Sequence, residues 1–114
     1  MPRMIYHMCR AEDWAAALSA GIYHGSAEDR ADGFLHFSTA EQIVESARRH
    51  RAGQPGLVLI AVESDRLGTR LRWEPSRGGA LFPHLYGPLA TDEAASARPL
   101  PLAADDTHVF PALS

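Results

Sequence analysis

Apolar and polar positions alternate with several different periods along the 114-residue chain, and each change of period marks an element. "MIYHMC" (4–9) is an apolar and aromatic run that reads as a first strand. "AEDWAAALSAG" (11–21) places Trp14, Ala17 and Leu18 at i, i+3 and i+4, which predicts a helix buried on that face and stopped by Gly21. A short "IYH" segment precedes the polar stretch "GSAEDRADG" (25–33), expected to be a loop. In "GFLHFSTAEQI" (33–43) a short apolar strand turns into a helix. Ser38 followed by Glu41 matches a capping box, so this helix is expected to begin at Thr39. Ala40, Ile43, Val44 and Ala47 form its apolar stripe, and Gly53 and Pro55 end it.

The β-branched run "GLVLIAVES" (56–64) is the expected central, most buried strand. "LRWEP" (71–75) alternates as a shorter strand, with Glu74 and Arg72 on one face and Trp73 on the other. "RGGALFPHLYGPL" (77–89) has the Gly and Pro content of irregular loop and short strand. "AASARPLPL" (94–102) reads as a last strand, and "THVFPAL" as a tail that pairs at an edge. Two helices, with strands joined mostly without crossover helices, predict an α+β fold with an antiparallel or mixed sheet.

Composition sharpens this only a little. Apolar residues are 46% and charged residues 22%, as in an ordinary globular chain, and the length suits one domain over residues 1–114. A net charge of −3 gives no basic field for DNA. No apolar run approaches the ~20 residues of a membrane helix. "MPRMIYHMCR" lacks the apolar core and cleavage site of a signal peptide, and Cys9 is the single cysteine. A cytoplasmic protein without disulfides is the expectation. All eleven cationic side chains are arginine, which suits bidentate phosphate contacts but equally a GC-rich genome.

The candidate chemistry lies in histidines. His7, His36 and His84 share one setting, an apolar or aromatic segment, whereas His24, His50 and His108 lie in polar or terminal stretches. A buried neutral imidazole needs both a donor and an acceptor partner, so three of them suggest a shared pocket. The alternative is three satisfied core residues. His36 precedes a helix start, where free N–H groups, Ser38 and Thr39 favour an anion such as phosphate, and where the helix dipole would keep the imidazole neutral. Against this, Ser38 would simply cap its own helix. Glu74 is a candidate base or ribose ligand, or else a solvated partner of Arg72. Pro83, Gly87 and Pro88 fix the backbone around His84 and Tyr86, a rigid setting for a site or a self-plugging loop. No nucleotide-loop, nucleophile-elbow or CxxC motif occurs, and the scattered His and Glu spacing leads us to expect no metal site.

"IYHMC", "GFLHFSTAEQ", "LRWE" and "LFPHLYGPL", in this order, resemble the small bacterial proteins catalogued as domain-of-unknown-function family 952, over about residues 4–102. The resemblance implies a small fold like that of the ADP-ribosyltransferases: two short, mostly antiparallel sheets and two main helices, with a nicotinamide-nucleotide cleft between the sheets. It further implies NAD as a substrate and His7 as the first-strand residue that grips a ribose. "LHFST" is similar to the His-Leu-Ser segment of RNA 2′-phosphotransferases, which places His36 and Ser38 at the ligand. Trp73 or Tyr86 would supply a stacking face, and His84 and Thr39 further contacts. Glu74 is the one candidate for the late-strand catalytic Glu of such transferases, and Arg10 or Arg72 for phosphate contacts. The expected function is thus a nucleotide-binding cleft, with His36, His7 and Glu74 as catalytic residues of an ADP-ribosyl- or phosphotransferase-like enzyme. The alternatives are a non-catalytic module for a small anion or nucleotide, and an interaction protein with core histidines.

Overall fold

The structure, a computed structural model, describes residues 3–113 apart from the side chain of Arg77. Its order is β1 (Met4–Arg10), α1 (Ala11–Ala20), β2 (Ile22–Tyr23), α2 (Ala27–Asp32), β3 (Leu35–His36), β4 (Ser38–Thr39) and α3 (Ala40–His50). There follow β5 (Leu57–Glu63), β6 (Leu71–Pro75), β7 (Leu81–Leu85), β8 (Leu89–Ala90) and β9 (Ala94–Leu100), with short 3-10 turns between them. All strand pairings are antiparallel, and the class is α+β as expected. One sheet has the order β4-β1-β5-β9, a second β3-β7-β6, and β2 with β8 forms a small ribbon.

β1 and β5 pair along seven residues each, from Met4 opposite Glu63 to Arg10 opposite Leu57. β5 lies inside the sheet, so its unbroken apolar run is buried on both faces. One face carries Ile5, Cys9, Ile60 and Val62, which pack with Trp14, Tyr23, Phe37 and Leu85. The other carries Tyr6, Leu57, Leu59 and Ala61 under Ile43 of α3, and Phe110 and Leu113 of the tail pack there too. Among the described residues the tail forms a single bridge, between Leu102 and His108, so it covers the sheet and does not extend it.

Two sheets meet at five residues. Leu35 and His36 pair with β7, while Ser38 and Thr39 pair with β1. Phe37 between them is buried, and its N–H donates to Pro83 O at 3.0 Å. The segment therefore crosses from one sheet to the other, which is why an apolar pattern is interrupted by polar residues there.

Several expectations are corrected. Residues 27–32 form a helix, not a loop: the Ser26 hydroxyl accepts from Asp29 N–H and the Asp29 carboxylate accepts from Ser26 N–H, a complete capping box. The next helix is capped one residue later than expected, at Thr39, whose N–H donates to Gln42 Oε1 at 3.0 Å. Ser38 instead stays in a strand and its hydroxyl meets that of Ser46 at 3.1 Å. This turns the buried face of α3 onto Ile43, Ser46 and Ala47 and leaves Val44 exposed. Leu18 is likewise exposed, because α1 contacts the core through Trp14 and Ala17 alone. Finally, α3 ends at His50 with Arg51 as its cap, before Gly53 is reached.

Gly25 is the glycine the fold most needs. At φ +91° an added Cβ would lie 2.3 Å from Leu35 Cδ2 and 2.8 Å from Asp29 Cβ. Gly25→Ala is expected to cost about 2–4 kcal/mol in urea unfolding, from strain plus overpacking. Gly53→Ala, at φ +73° but in open space, should cost only ~1–2 kcal/mol. Equal losses at the two positions would mean that the contact with Leu35 is not limiting.

Candidate functional site

The sequence places His36 on β3 and His84 on β7, and the antiparallel register sets them directly opposite one another. Directly opposed side chains on one face of a pair stand within contact reach. Their rings lie 5.8 Å apart, edge to face, and Phe34 stacks on His84 at 4.0 Å and leans on His36 at 4.6 Å. On β6, Arg72 is the partner of His84, and Glu74 lies two residues along on the same face. Glu74 Oε1 accepts from His84 Nδ1 at 2.8 Å and from the Tyr86 hydroxyl at 2.7 Å. Those two bonds, the tyrosine first, hold the Glu74 carboxyl below its ordinary range.

Behind His36 is Asp29, only 4% exposed. One of its oxygens, Oδ1, accepts from the backbone N–H of His36 at 3.2 Å and from His36 Nδ1 at 2.5 Å. The other, Oδ2, accepts from Ser26 N–H and Oγ at 2.8 and 2.9 Å. Burial alone would raise this carboxyl, but the bonds from His36 and Ser26 reverse the effect and hold it well below the usual range. The same contact, together with Asp32 Oδ2 at 3.0 Å from Nε2, raises His36 above the ordinary imidazole value. This corrects the expectation of a neutral His36 held by a helix dipole: α2 supplies carboxylates, and they favour the cation.

His7 has the opposite character. Its Nδ1–H donates to His36 O and its Nε2 accepts from the Tyr23 hydroxyl, both at 2.7 Å. Both ring nitrogens are used inside the protein, and burial lowers its basicity. His7 thus has the setting of a satisfied core histidine that anchors the crossing segment. Cys9, beside Tyr23, is a buried thiol pushed up to about 11, the setting of an inert side chain.

These elements enclose a cleft of about 290 Å³. β1 contributes Tyr6, His7 and Met8, α2 contributes Glu28, Asp29 and Asp32, and the crossing segment His36, Phe37 and Ser38. Ile43, Ser46, His50 and Arg51 line it from α3, with Ser76, Phe82 and His84 opposite. The cleft therefore runs along the flank of α3 towards its C-terminal end, not across its N-terminus. Thr39 is buried outside it, and its N–H is already taken by Gln42. Glu74 and Tyr86 stand behind His84 and do not line it. Trp73 faces the other way, packs on the main core and carries Arg3 over its ring at 5.0 Å.

Of the expected residues, then, the structure brings His7, His36, Ser38 and His84 to one cleft and leaves Thr39, Trp73, Tyr86 and Glu74 off its wall. Arg10 pairs with Glu12, Arg72 lies over Tyr86, and among the described side chains the arginine that reaches the cleft is Arg51. Asp29 and Arg51 were both missed. Asp29 was findable, because Ser26-x-x-Asp29 has the capping-box spacing that was read at Ser38. Arg51 carried no signal beyond its place at a helix end.

The family description "Protein of unknown function (DUF952)" matches residues 8–97, most of the chain. The chain belongs to this family. It is similar to protein CC0527 from Caulobacter crescentus, a structural-genomics target. The crystal structure of that protein is 47% identical over 93% of each chain, with a TM-score of 0.90. Its solution NMR structure is 48% identical over 90% of this chain and 89% of that one, with a TM-score of 0.82. No curated protein matches.

The two histidines give stability opposite pH dependences. His36, raised above the ordinary 6.5, contributes stability that is complete below that pH and is lost as the pH rises through its folded value. His7, lowered from 6.5, contributes stability that is complete above it and is lost as the pH falls through its folded value. Urea unfolding across pH 5–9 should therefore decline on both sides of about 6.5. His36→Gln should flatten the alkaline limb and His7→Gln the limb just below the maximum. An alkaline limb unchanged in His36→Gln would assign it to another group.

Proposed function

We propose that the cleft between the two sheets binds a nicotinamide-nucleotide or ADP-ribose-type ligand. The observation that carries this reading is the convergence of His7, His36, Ser38 and His84 on one cleft at the junction of the sheets, where the family resemblance puts such a ligand. Its volume, about 290 Å³, is at the small end of ligand pockets and suits one nucleotide unit better than a whole dinucleotide. Its walls differ in charge. Asp29 and Asp32 of α2 are paired with His36, so Glu28 is the carboxylate that favours a cationic ring such as nicotinamide, while Arg51 favours a phosphate. Phe34 stacks on His84, which lines the cleft, and the pair offers a planar surface. The partner in this reading is a small molecule. Among the described residues no helix is long and apolar enough to cross a membrane.

One observation favours a second reading, a module that binds the ligand without chemistry. Glu74, expected to stabilise an oxocarbenium-like state, is tied to His84 and Tyr86 behind the wall of the cleft.

Titration with NAD, ADP-ribose and nicotinamide, followed through the histidine ring resonances by NMR, tests the shared reading. His36 and His84 are expected to shift together with at least one nucleotide, and His36→Ala should abolish the shift at His84 while remaining cooperatively folded. No response of either ring to any of the three ligands would overturn the assignment.

A further inference from the structure

His7, His36 and His84 have six ring nitrogens between them, and five are committed. His7 uses both, to His36 O and Tyr23; His36 has both against Asp29 and Asp32; His84 Nδ1 donates to Glu74. The sixth, His84 Nε2, has no partner among the described residues. It is also not sealed in, since every fully buried side-chain polar atom described has a hydrogen-bond partner. His84 lines the cleft, so this is its ring nitrogen left for a ligand there. A carboxylate only accepts, so the bond to Glu74 places the proton on Nδ1 and the lone pair of the neutral ring on Nε2. Of the carboxylates that touch these rings, Asp29 receives four hydrogen bonds and Glu74 Oε1 receives two.

We propose that His84 is the general base of a ribosyl-transfer step in this cleft, with Glu74 and Tyr86 as the residues that position it. The proposal rests on the nicotinamide-nucleotide reading above. Water, or the hydroxyl of an acceptor, attacks C1′ of the ribose. Its O–C1′ bond forms as the C1′–N bond to nicotinamide breaks, and the bonding pair leaves on the nicotinamide nitrogen, which becomes neutral. The proton of the attacking hydroxyl passes to His84 Nε2. With water as acceptor the products are ADP-ribose, nicotinamide and one proton, and no further reactant is needed. Glu74 holds the ring in the tautomer that leaves Nε2 free, and the Tyr86 hydroxyl fixes the carboxylate from its other side. A base oriented by a third group is the arrangement such chemistry requires. It also gives Glu74, misplaced for direct contact, a role through its neighbour.

The test measures nicotinamide release from NAD, with ADP-ribose binding measured in parallel, on the full chain. Wild type is expected to bind ADP-ribose and release nicotinamide. His84→Ala should slow release by about 10²–10⁴-fold, far more than it weakens ADP-ribose binding, and added imidazole should restore part of the rate. His84→Asn keeps a donor for Glu74 without a base, and it should be as slow if His84→Ala proves unstable. Glu74→Gln should lower kcat with KM unchanged, which a purely structural role would not do. Wild-type release in either His84 variant overturns the assignment of the base. ADP-ribose binding without any nicotinamide release by the wild type overturns the chemistry and leaves the cleft reading standing. Absence of binding to NAD and ADP-ribose overturns both.

Discussion

A charge buried at Asp29 organises this molecule. A carboxylate taken out of water is tolerated only when its lone pairs are occupied, and here Ser26 and His36 supply four hydrogen bonds. Those bonds come from two different elements. Ser26 closes the start of a six-residue helix too short to stand on propensity alone, and His36 belongs to the strand that follows. The requirement to satisfy one carboxylate therefore fixes α2 against β3. Gly25 leaves the room for it, because any side chain there would meet Asp29 and Leu35. Nothing apolar in α2 could do the same, since Asp29 is its one buried residue.

The constraint propagates through the crossing segment. With the His36 ring and N–H held by Asp29, its carbonyl is left to accept from His7, and Phe37 N–H donates to Pro83 O. His7 is in turn held by Tyr23, which connects the first strand of the large sheet to the ribbon formed by β2 and β8. All three sheets thus meet at residues 36 and 37 through hydrogen bonds that have a directional requirement, while the apolar contacts of Phe37 and Leu35 supply the burial. Hydrophobic packing alone would tolerate a small slip of one sheet on another; this network does not.

Much of this was legible in the chain, unevenly. The central strand and the β1, β6 and β9 segments were readable because a buried or alternating strand writes its period directly into the residue types. The shared setting of His7, His36 and His84 likewise pointed to one cleft. The failures have a common cause. Helix faces were read from periodicity, but Leu18 and Val44 are exposed because the core contact is set by which strand lies underneath. The capping-box spacing at Ser38 points to a helix that begins at Thr39, yet pairing with Tyr6 of β1 keeps Ser38 in a strand and passes the cap to Thr39. In both, a tertiary contact overrides a local preference of about 1 kcal/mol. The roles of Glu74 and Trp73 depended on which side of β6 faces the cleft, and alternation alone says only that they differ.

The two cleft histidines show how the same side chain acquires different chemistry from its neighbours. His36 and His84 are register partners, share Phe34 and face one space. Each has a carboxylate at Nδ1, so that contact does not distinguish them. The difference lies at the other nitrogen. At His36 a second carboxylate, Asp32, stands at Nε2, and two anions around one ring favour the cation with both protons retained. At His84, which lines the cleft, Nε2 has no partner among the described residues, and the bond from Nδ1 to Glu74 leaves the lone pair of the neutral ring there. A fixed donor and an open acceptor, side by side on adjacent strands, are the two halves of proton-transfer chemistry. They arise here from one sequence difference: α2 places Asp32 three residues after Asp29, whereas the two donors to Glu74, His84 and Tyr86, converge on a single oxygen and leave the far side of the His84 ring uncovered.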